Sequence, residues 1–260
     1  MELIEFNRLK TDFNYFFQER SVQLISVSKP NNATSGISPL YFKNGRRLRA
    51  HRKNNLFFIT INLMKSGRFD DIIIFRLNGH SKVCCFPNGV EDNKEIIIKF
   101  RKRKKPQSFY FKDVDFVMHT KMGNINKLEI LKTDFGPEWF SFKTGDVNIP
   151  RNTFFKKIIC KDKYIYEVLL DQHLFYGLGE YLVSEIIGRT GFELKTKISA
   201  LDTEQKKHLY YCICYVLLES YRLDGIGYDL MGEDCEYSPK LKVYKKSTNI
   251  FRYREYNIHH

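Results

Sequence analysis

The stretch YGLGEYLVSEIIGRTGF, residues 176–192, sets two glycines two apart at the point where a helical pattern begins. A helix that opens just after Gly177-Leu178-Gly179 leaves its first backbone N–H groups unpaired and carries a partial positive charge there. Glycine lets a phosphate come close to such a backbone, so the turn can seat an anion. The same glycines serve as a tight connector, and their spacing leaves both readings open. The surrounding chain is strongly basic: 43 Lys and Arg against 30 Asp and Glu give its 260 residues a formal net charge of +13. A surplus of that size concentrates polyanions through its long-range field, and nucleic acid is the commonest polyanion that a basic protein meets. The run RKRKK at 101–105 reads as a solvated loop that adds to the field and not to specificity.

The other reactive side chains point away from metal chemistry. Six cysteines, at 84, 85, 160, 212, 214 and 235, form no CxxC pair and no cluster with histidine at ligand spacing. They imply a reducing, intracellular setting with no cofactor and no zinc. Cys212 and Cys214, two apart on one helix, point to different faces. His173 in DQHLFYG reads as a packing residue before a phosphate ligand. No apolar run approaches the roughly 20 residues of a membrane span, so no membrane partner is expected.

Two textures must position these residues. Residues 4–20 carry apolar side chains near helical spacing and predict a first helix. From Ser21 to Ile130, runs such as NNLFFITINLM, DDIIIFRL, KEIIIKF and SFYFKDVDFVMH predict an all-β half built as a sandwich. After DFGPEWF the pattern turns helical, through NTFFKKIICKDKYIYEVLLDQ, EYLVSEIIGRTGF and LDTEQKKHLYYCICYVLLESY. In the last of these Asp202 or Thr203 caps the start, and Leu209, Ile213, Val216 and Leu217 line one face. The fold class is α+β, with domains at 1–140 and 141–260.

The pieces also stand in a familiar order. LLDQHLFYGLGEYLVSEIIGRTGF, residues 169–192, resembles the helix-two-turns-helix signature of the Fpg/Nei family of DNA glycosylases, LLDQ then GIGN(I/Y) then a helix containing E-I-L. Residues 62–69, NLMKSGRF, are similar to that family's HLGMSGRF, FGPEWF to its LGPDPL link, and SPKLKVYKK (238–246) to the KVYGR start of its C-terminal β-hairpin, here without zinc ligands. The resemblance implies base excision repair by a glycosylase with AP lyase activity, or a catalytically impaired module that keeps the fold and binds DNA. It implies a monomer whose partner is damaged or abasic DNA, duplex or single-stranded. The place of action is inside the cell, at the nucleus or a site of DNA replication, a viral one included.

Residue by residue, the family start PELPEV falls on Met1 to Phe6 and keeps carboxylates at Glu2 and Glu5. Met1 replaces the nucleophilic proline; its α-amine, with a pKa near 8, is more neutral at physiological pH than a lysine and is a competent nucleophile. The hairpin lysine falls at Asn54, with Lys53 beside it as a substitute, so the implied catalytic set is Met1, Glu2, Glu5 and Lys53. The implied DNA contacts are Asn54, Lys65, Arg68, Lys121, Gly177, Gly179 and Lys242. Lys65 replaces the void-filling methionine with Met64 adjacent, Lys121-Met122-Gly123 replaces RRFG, and Glu180 replaces the asparagine that seats a phosphate. The chain stops at His260, where the family's hairpin turns, so a partial hairpin is expected. Alanine at Gly177 or Gly179 is expected to weaken DNA binding more than folding, provided that the glycine φ is negative.

Overall fold

The computed structural model describes residues 3–19, 22–27, 40–41, 48–53, 56–62, 64–84, 94–100, 108–129, 135–158, 162–226 and 235–244. They divide into two compact units, one containing Glu5–Thr133 and the other Asp134–Gly227 and the segment from Cys235.

In the first unit the helical spacing of Glu5, Leu9 and Phe13 gives helix α1, Leu3–Glu19, one buried face, while Tyr15 points to solvent. The strands are β1 (Val22–Val27), β2 (Leu40–Tyr41), β3 (Leu48–Lys53), β4 (Leu56–Ile61), β5 (Arg68–Cys84), β6 (Lys94–Phe100) and β7 (Ser108–Asn124). The β half is one continuous antiparallel sheet in the order β2-β1-β6-β7-β5-β4-β3. Every residue of β4 is buried, as are Ile72–Phe75 of β5, so both faces are covered here and the strands read as unbroken apolar runs. On one face Phe13 of α1 meets Phe57, Phe109 and Phe111 at centroid distances of 5.8, 5.0 and 5.3 Å. On the other, Leu56, Phe58, Phe69, Ile72 and Ile74 cluster with Ile125 and Leu128.

β3 is an edge strand whose outward polar backbone needs a partner. Asn14 supplies it: its side-chain amide donates to the Ala50 carbonyl and its carbonyl oxygen accepts from the Ala50 N–H, each at 2.9 Å. Helix and sheet are thereby locked in one register around His51–Lys53.

The second unit holds a short hairpin, β8 (Phe140–Ser141) with β9 (Asp146–Val147), and helices α2 (Arg151–Ile158), α3 (Ile165–Leu170), α4 (Glu180–Thr190) and α5 (Thr203–Arg222). Tyr181–Ile187 are all buried, so α4 is the central helix and is enclosed nearly all round. Asp202 caps α5 by accepting from the Gln205 N–H at 2.8 Å, and Gln205 reciprocates at 2.9 Å. The expected face of Leu209, Ile213, Val216 and Leu217 is fully buried. The helical run NTFFKKIICKDKYIYEVLLDQ is divided into two helices, α2 and α3. Tyr164 is extended and bridges Lys197, and the Ile165 N–H and Lys163 carbonyl pair with Thr196 and Ile198, which keeps 163–164 out of the helix and starts α3 at Ile165. Ser238–Lys240 forms a single 3-10 turn; the hairpin expected beyond Tyr244 lies outside the described residues. Among the described residues no helix is long and apolar enough to cross a membrane.

Candidate nucleic-acid interface

One end of the β5–β7 ladder carries an unusual surface. The register sets Arg68 opposite Asn124, Phe69 opposite Gly123 and Asp71 opposite Lys121. The turn that enters β5 is closed by the Gly67 N–H on the Met64 carbonyl, 2.9 Å, and by the Met64 N–H on the Arg68 carbonyl, 2.8 Å. Gly67 has φ +83° and lies so close to Asn124 and Asn126 that a Cβ there would come within 2.9 Å of both side chains. The Ile125 N–H donates to the Gly67 carbonyl at 2.9 Å and the Asn124 amide to the Ser66 carbonyl at 3.2 Å. Two turns far apart in sequence are thus welded into one tip.

That tip exposes methionines where burial would be the norm. Met64 is 55% exposed and Met122 84%. Met122 also has φ +39°, an uncommon conformation for a long side chain and one that turns of functional importance retain. Lys65, Arg68 and Lys121 are exposed around them. Exposed apolar side chains with cations at neighbouring positions, and Asp71 across the ladder from Lys121, suit the chemistry of entering a base stack while holding phosphates.

Behind the tip, the 3-10 turn Ile125–Lys127 also forms one wall of a pocket of about 520 Å³. Lys10 of α1 with Arg52 and Lys53 of β3 give it a basic side. His51 lies on its wall, stacked on Phe58 at 5.0 Å and 9°, with Nε2 2.8 Å from the buried Thr60 hydroxyl. Burial, then Arg49 and Lys10, lower the His51 pKa to about 4, so the ring is neutral at pH 7.

In the second unit the glycine turn is built around Gln172. Its amide donates to the carbonyls of Leu170 and Leu178, at 2.9 and 2.7 Å, and its oxygen accepts from the Gly177 N–H at 3.0 Å. Asp171 Oδ1 holds the preceding turn through the His173 and Leu174 N–H groups, at 3.0 and 3.4 Å. The link 135–139 lies along it: the Gly136 N–H donates to Gln172, Tyr176 to Pro137 and Trp139 to Tyr176. Gly177 has φ +116°, so glycine is required there for conformation, and its N–H is spent on Gln172. Gly179, at φ −119°, is the N-cap of α4 and brings no side chain to cap it, and Glu180 beside it is exposed. The condition of a negative φ therefore fails at Gly177 and holds at Gly179.

Lys242 is brought to this unit's core through its backbone. Its N–H donates to both oxygens of Glu185, at 3.1 and 3.0 Å, and the Val243 and Tyr244 N–H groups donate to Oε1 at 2.7 and 2.8 Å. Arg189, one turn along α4, adds an ion pair from the other side. Burial raises the Glu185 pKa, but the N–H groups of Lys242, Tyr244 and Val243 and the Arg189 guanidinium outweigh it and hold the carboxyl below its ordinary range. The sequence reading missed this clasp. Its signal was a carboxylate with arginine four residues on, inside an otherwise apolar helix.

Of the residues singled out from sequence, Lys65, Arg68 and Lys121 are exposed on the segments that form the tip and Lys53 lines the pocket. Glu5 is buried in the first turn of α1. His173 is exposed, its ring stacked with Phe135 at 5.9 Å. Met1, Glu2 and Asn54 lie outside the described residues. Among those described, no group of three or more His, Cys, Asp or Glu could hold a metal ion.

No family model matches the chain. It is similar to a formamidopyrimidine-DNA glycosylase of Heliobacterium modesticaldum, 33% identical over 89 residues, which is 33% of this chain and 32% of that protein. The match thus spans about a third of the relative's length. The likeness in fold is wider. A complex between Lactococcus lactis Fpg and DNA containing an abasic site has a TM-score of 0.68 at 19% identity, over 94% of this chain and 88% of that one. Wild-type Lactococcus lactis Fpg with DNA containing an oxidized pyrimidine gives 0.68 at 18%, with the same shares. MutM with DNA containing carbocyclic 8-oxo-G gives 0.67 at 18%, again over 94% and 88%. Both comparisons carry the resemblance to the Fpg/Nei family that the motifs implied, and the chain is a divergent one of that fold.

Proposed function

We propose, from the premise that this chain has the formamidopyrimidine-DNA glycosylase fold, that it binds damaged or abasic DNA and acts as a glycosylase with AP lyase activity. The observation that carries the reading is the tip of Met64 and Met122 among Lys65, Arg68 and Lys121. A base that is to undergo chemistry must leave the stack, and the gap has to be filled by side chains that cost little to desolvate. Methionine is apolar and conformationally adaptable, so it can take that place, while the surrounding cations hold the backbone.

In this reading the Met1 amine nitrogen attacks C1′ of the extruded nucleotide as the bond to the base breaks, and the base leaves with a proton from a carboxylic acid. Glu2 is the group assigned to that transfer. Opening of the sugar gives a Schiff base, which β- and then δ-elimination resolve by cutting the strand. Lys53 is the substitute amine. Glu180 at the start of α4 favours a second reading: its carboxylate repels phosphate where the family places asparagine, which suits a DNA-binding module with impaired catalysis. Either would work wherever the cell, or a virus within it, keeps its DNA.

The test is binding of the full chain to a duplex with one abasic-site analogue and to the intact duplex, at several salt concentrations. Three phosphate contacts, one for each tip cation, predict about 40-fold weaker binding between 50 and 200 mM salt. Tighter binding to the abasic duplex supports the reading; equal binding with a flat salt response contradicts it.

A further inference from the structure

The pocket behind the tip is too large for a bare phosphate and too basic for an apolar ligand. Its volume of about 520 Å³ lies in the range that holds small organic molecules. Its lining is divided by chemistry. Lys10, Arg52 and Lys53 supply charge on one side, and Phe58, Ile125 and Leu128 an apolar surface on the other. His51 also lines the pocket, and its ring, stacked parallel on Phe58, covers a side chain that is only 4% exposed, so the imidazole is the aromatic surface available there. Asn126 adds an amide with both donor and acceptor capacity at the rim.

We propose that this pocket binds a nucleotide unit, the base against His51, Ile125 and Leu128 and the phosphate between Lys10, Arg52 and Lys53. Base stacking on an aromatic or apolar wall is tolerant of sequence, and lysine and arginine hold the phosphate. The amide of Asn126 is placed to meet a base edge. A free mononucleotide and a nucleotide of a bound strand offer the same chemistry. The site goes beyond the proposed lyase reaction, since it requires neither Met1 nor Glu2.

His51 reports on occupancy. The charged and polar groups that face it are Lys10 from α1, Arg49, Arg52 and Lys53 from β3, Thr60 from β4 and Asn126 from the turn after β7. Burial and the cations Arg49 and Lys10 keep its ring neutral. A phosphate anion set among those cations offsets them and favours the protonated ring. By linkage, the nucleotide must then bind more tightly as the ring becomes protonated.

The experiment is titration of the full chain with dTMP, thymidine and inorganic phosphate, following the His51 ring by NMR across pH 3.5–7. Saturation with dTMP should move the midpoint up from about 4 by one unit or more, and dTMP should bind at least tenfold more tightly than thymidine or phosphate. Asn126→Asp, which sets a carboxylate on an exposed rim position, should weaken dTMP at least tenfold, and Lys10→Gln should do so less steeply. The two sources separate by competition. Displacement of dTMP by the abasic duplex assigns the pocket to a nucleotide of the strand, and simultaneous binding assigns it to a free mononucleotide. Phosphate binding as well as dTMP, a His51 midpoint that dTMP leaves in place, or an unchanged affinity in Asn126→Asp would overturn the proposal. None of these results depends on strand cutting, so the site and the lyase reading fail separately.

Discussion

Met122 is 84% exposed, so its side chain gains nothing from the core and its removal costs the fold little. Met122→Ala, and likewise Met64→Ala, should leave the denaturation midpoint within about 0.5 kcal/mol of the parent. A wedge lost from an unstacked step, in contrast, should reduce the preference for an abasic over an intact duplex by about tenfold, a cost near 1.4 kcal/mol. Equal weakening on both duplexes would reassign the methionines to general contact. His51 carries the second prediction at this scale. Its folded pKa of about 4 lies below the ordinary 6.5, so between those values the unfolded chain binds more protons. Stability is unaffected above pH 6.5, falls as the pH drops from there, and levels off below 4, a loss on the order of 3 kcal/mol. Urea midpoints across that range should show the fall, and His51→Gln should flatten it. His51 was not legible for its role. Met64 and Met122 stood at or beside motif positions of the resemblance, but the exposure of Met122 follows from a register between strands that composition does not reveal.

At the scale of the element, the glycine turn and the Glu185 clasp behave differently from what local pattern implies. Alanine at Gly177 must adopt φ +116°, and the Gln172 bond is disturbed with it, so Gly177→Ala should cost about 1–3 kcal/mol by chemical denaturation. Gly179 has an extended backbone at φ −119° that any residue adopts, and Gly179→Ala should change folding by less than about 0.5 kcal/mol. Weaker DNA binding in Gly179→Ala would then report on the seat itself. Glu185→Ala strips a buried carboxylate from Arg189 and from three backbone N–H groups, and should cost about 3–5 kcal/mol in the same assay. Gly188 adds to the clasp by closeness: a Cβ there would lie 2.1 Å from Val243 Cγ2, so the segment at 243 rests directly on α4. Features confined to a few residues were readable in advance. The Asp202 cap and the buried face of α5 depend on neighbours three and four apart. The break between α2 and α3 depends on Thr196–Ile198, and the clasp on residues 57–59 positions away, which no local window contains.

For the molecule as a whole, the order of motifs along the chain carried more than any one of them. A helix, an all-β half, an FGPEWF link and a helix-two-turns-helix pattern in that order resemble one fold, and the structure has it at 18–19% identity to its relatives. A fold is retained through many substitutions because burial and backbone pairing accept them, whereas chemistry depends on a few atoms. The central claim therefore rests on one amine. The measurement is borohydride trapping on an abasic-site duplex, using the chain with a free Met1 amine beside the same chain lengthened at its N-terminus by two residues. The account predicts a covalent protein–DNA adduct from the first and none from the second, with binding retained in both, because the extension carries the amine out of reach of C1′. No adduct from the free-amine chain, or an equal adduct from the lengthened one, would contradict it; the second result would move the nucleophile to a lysine such as Lys53.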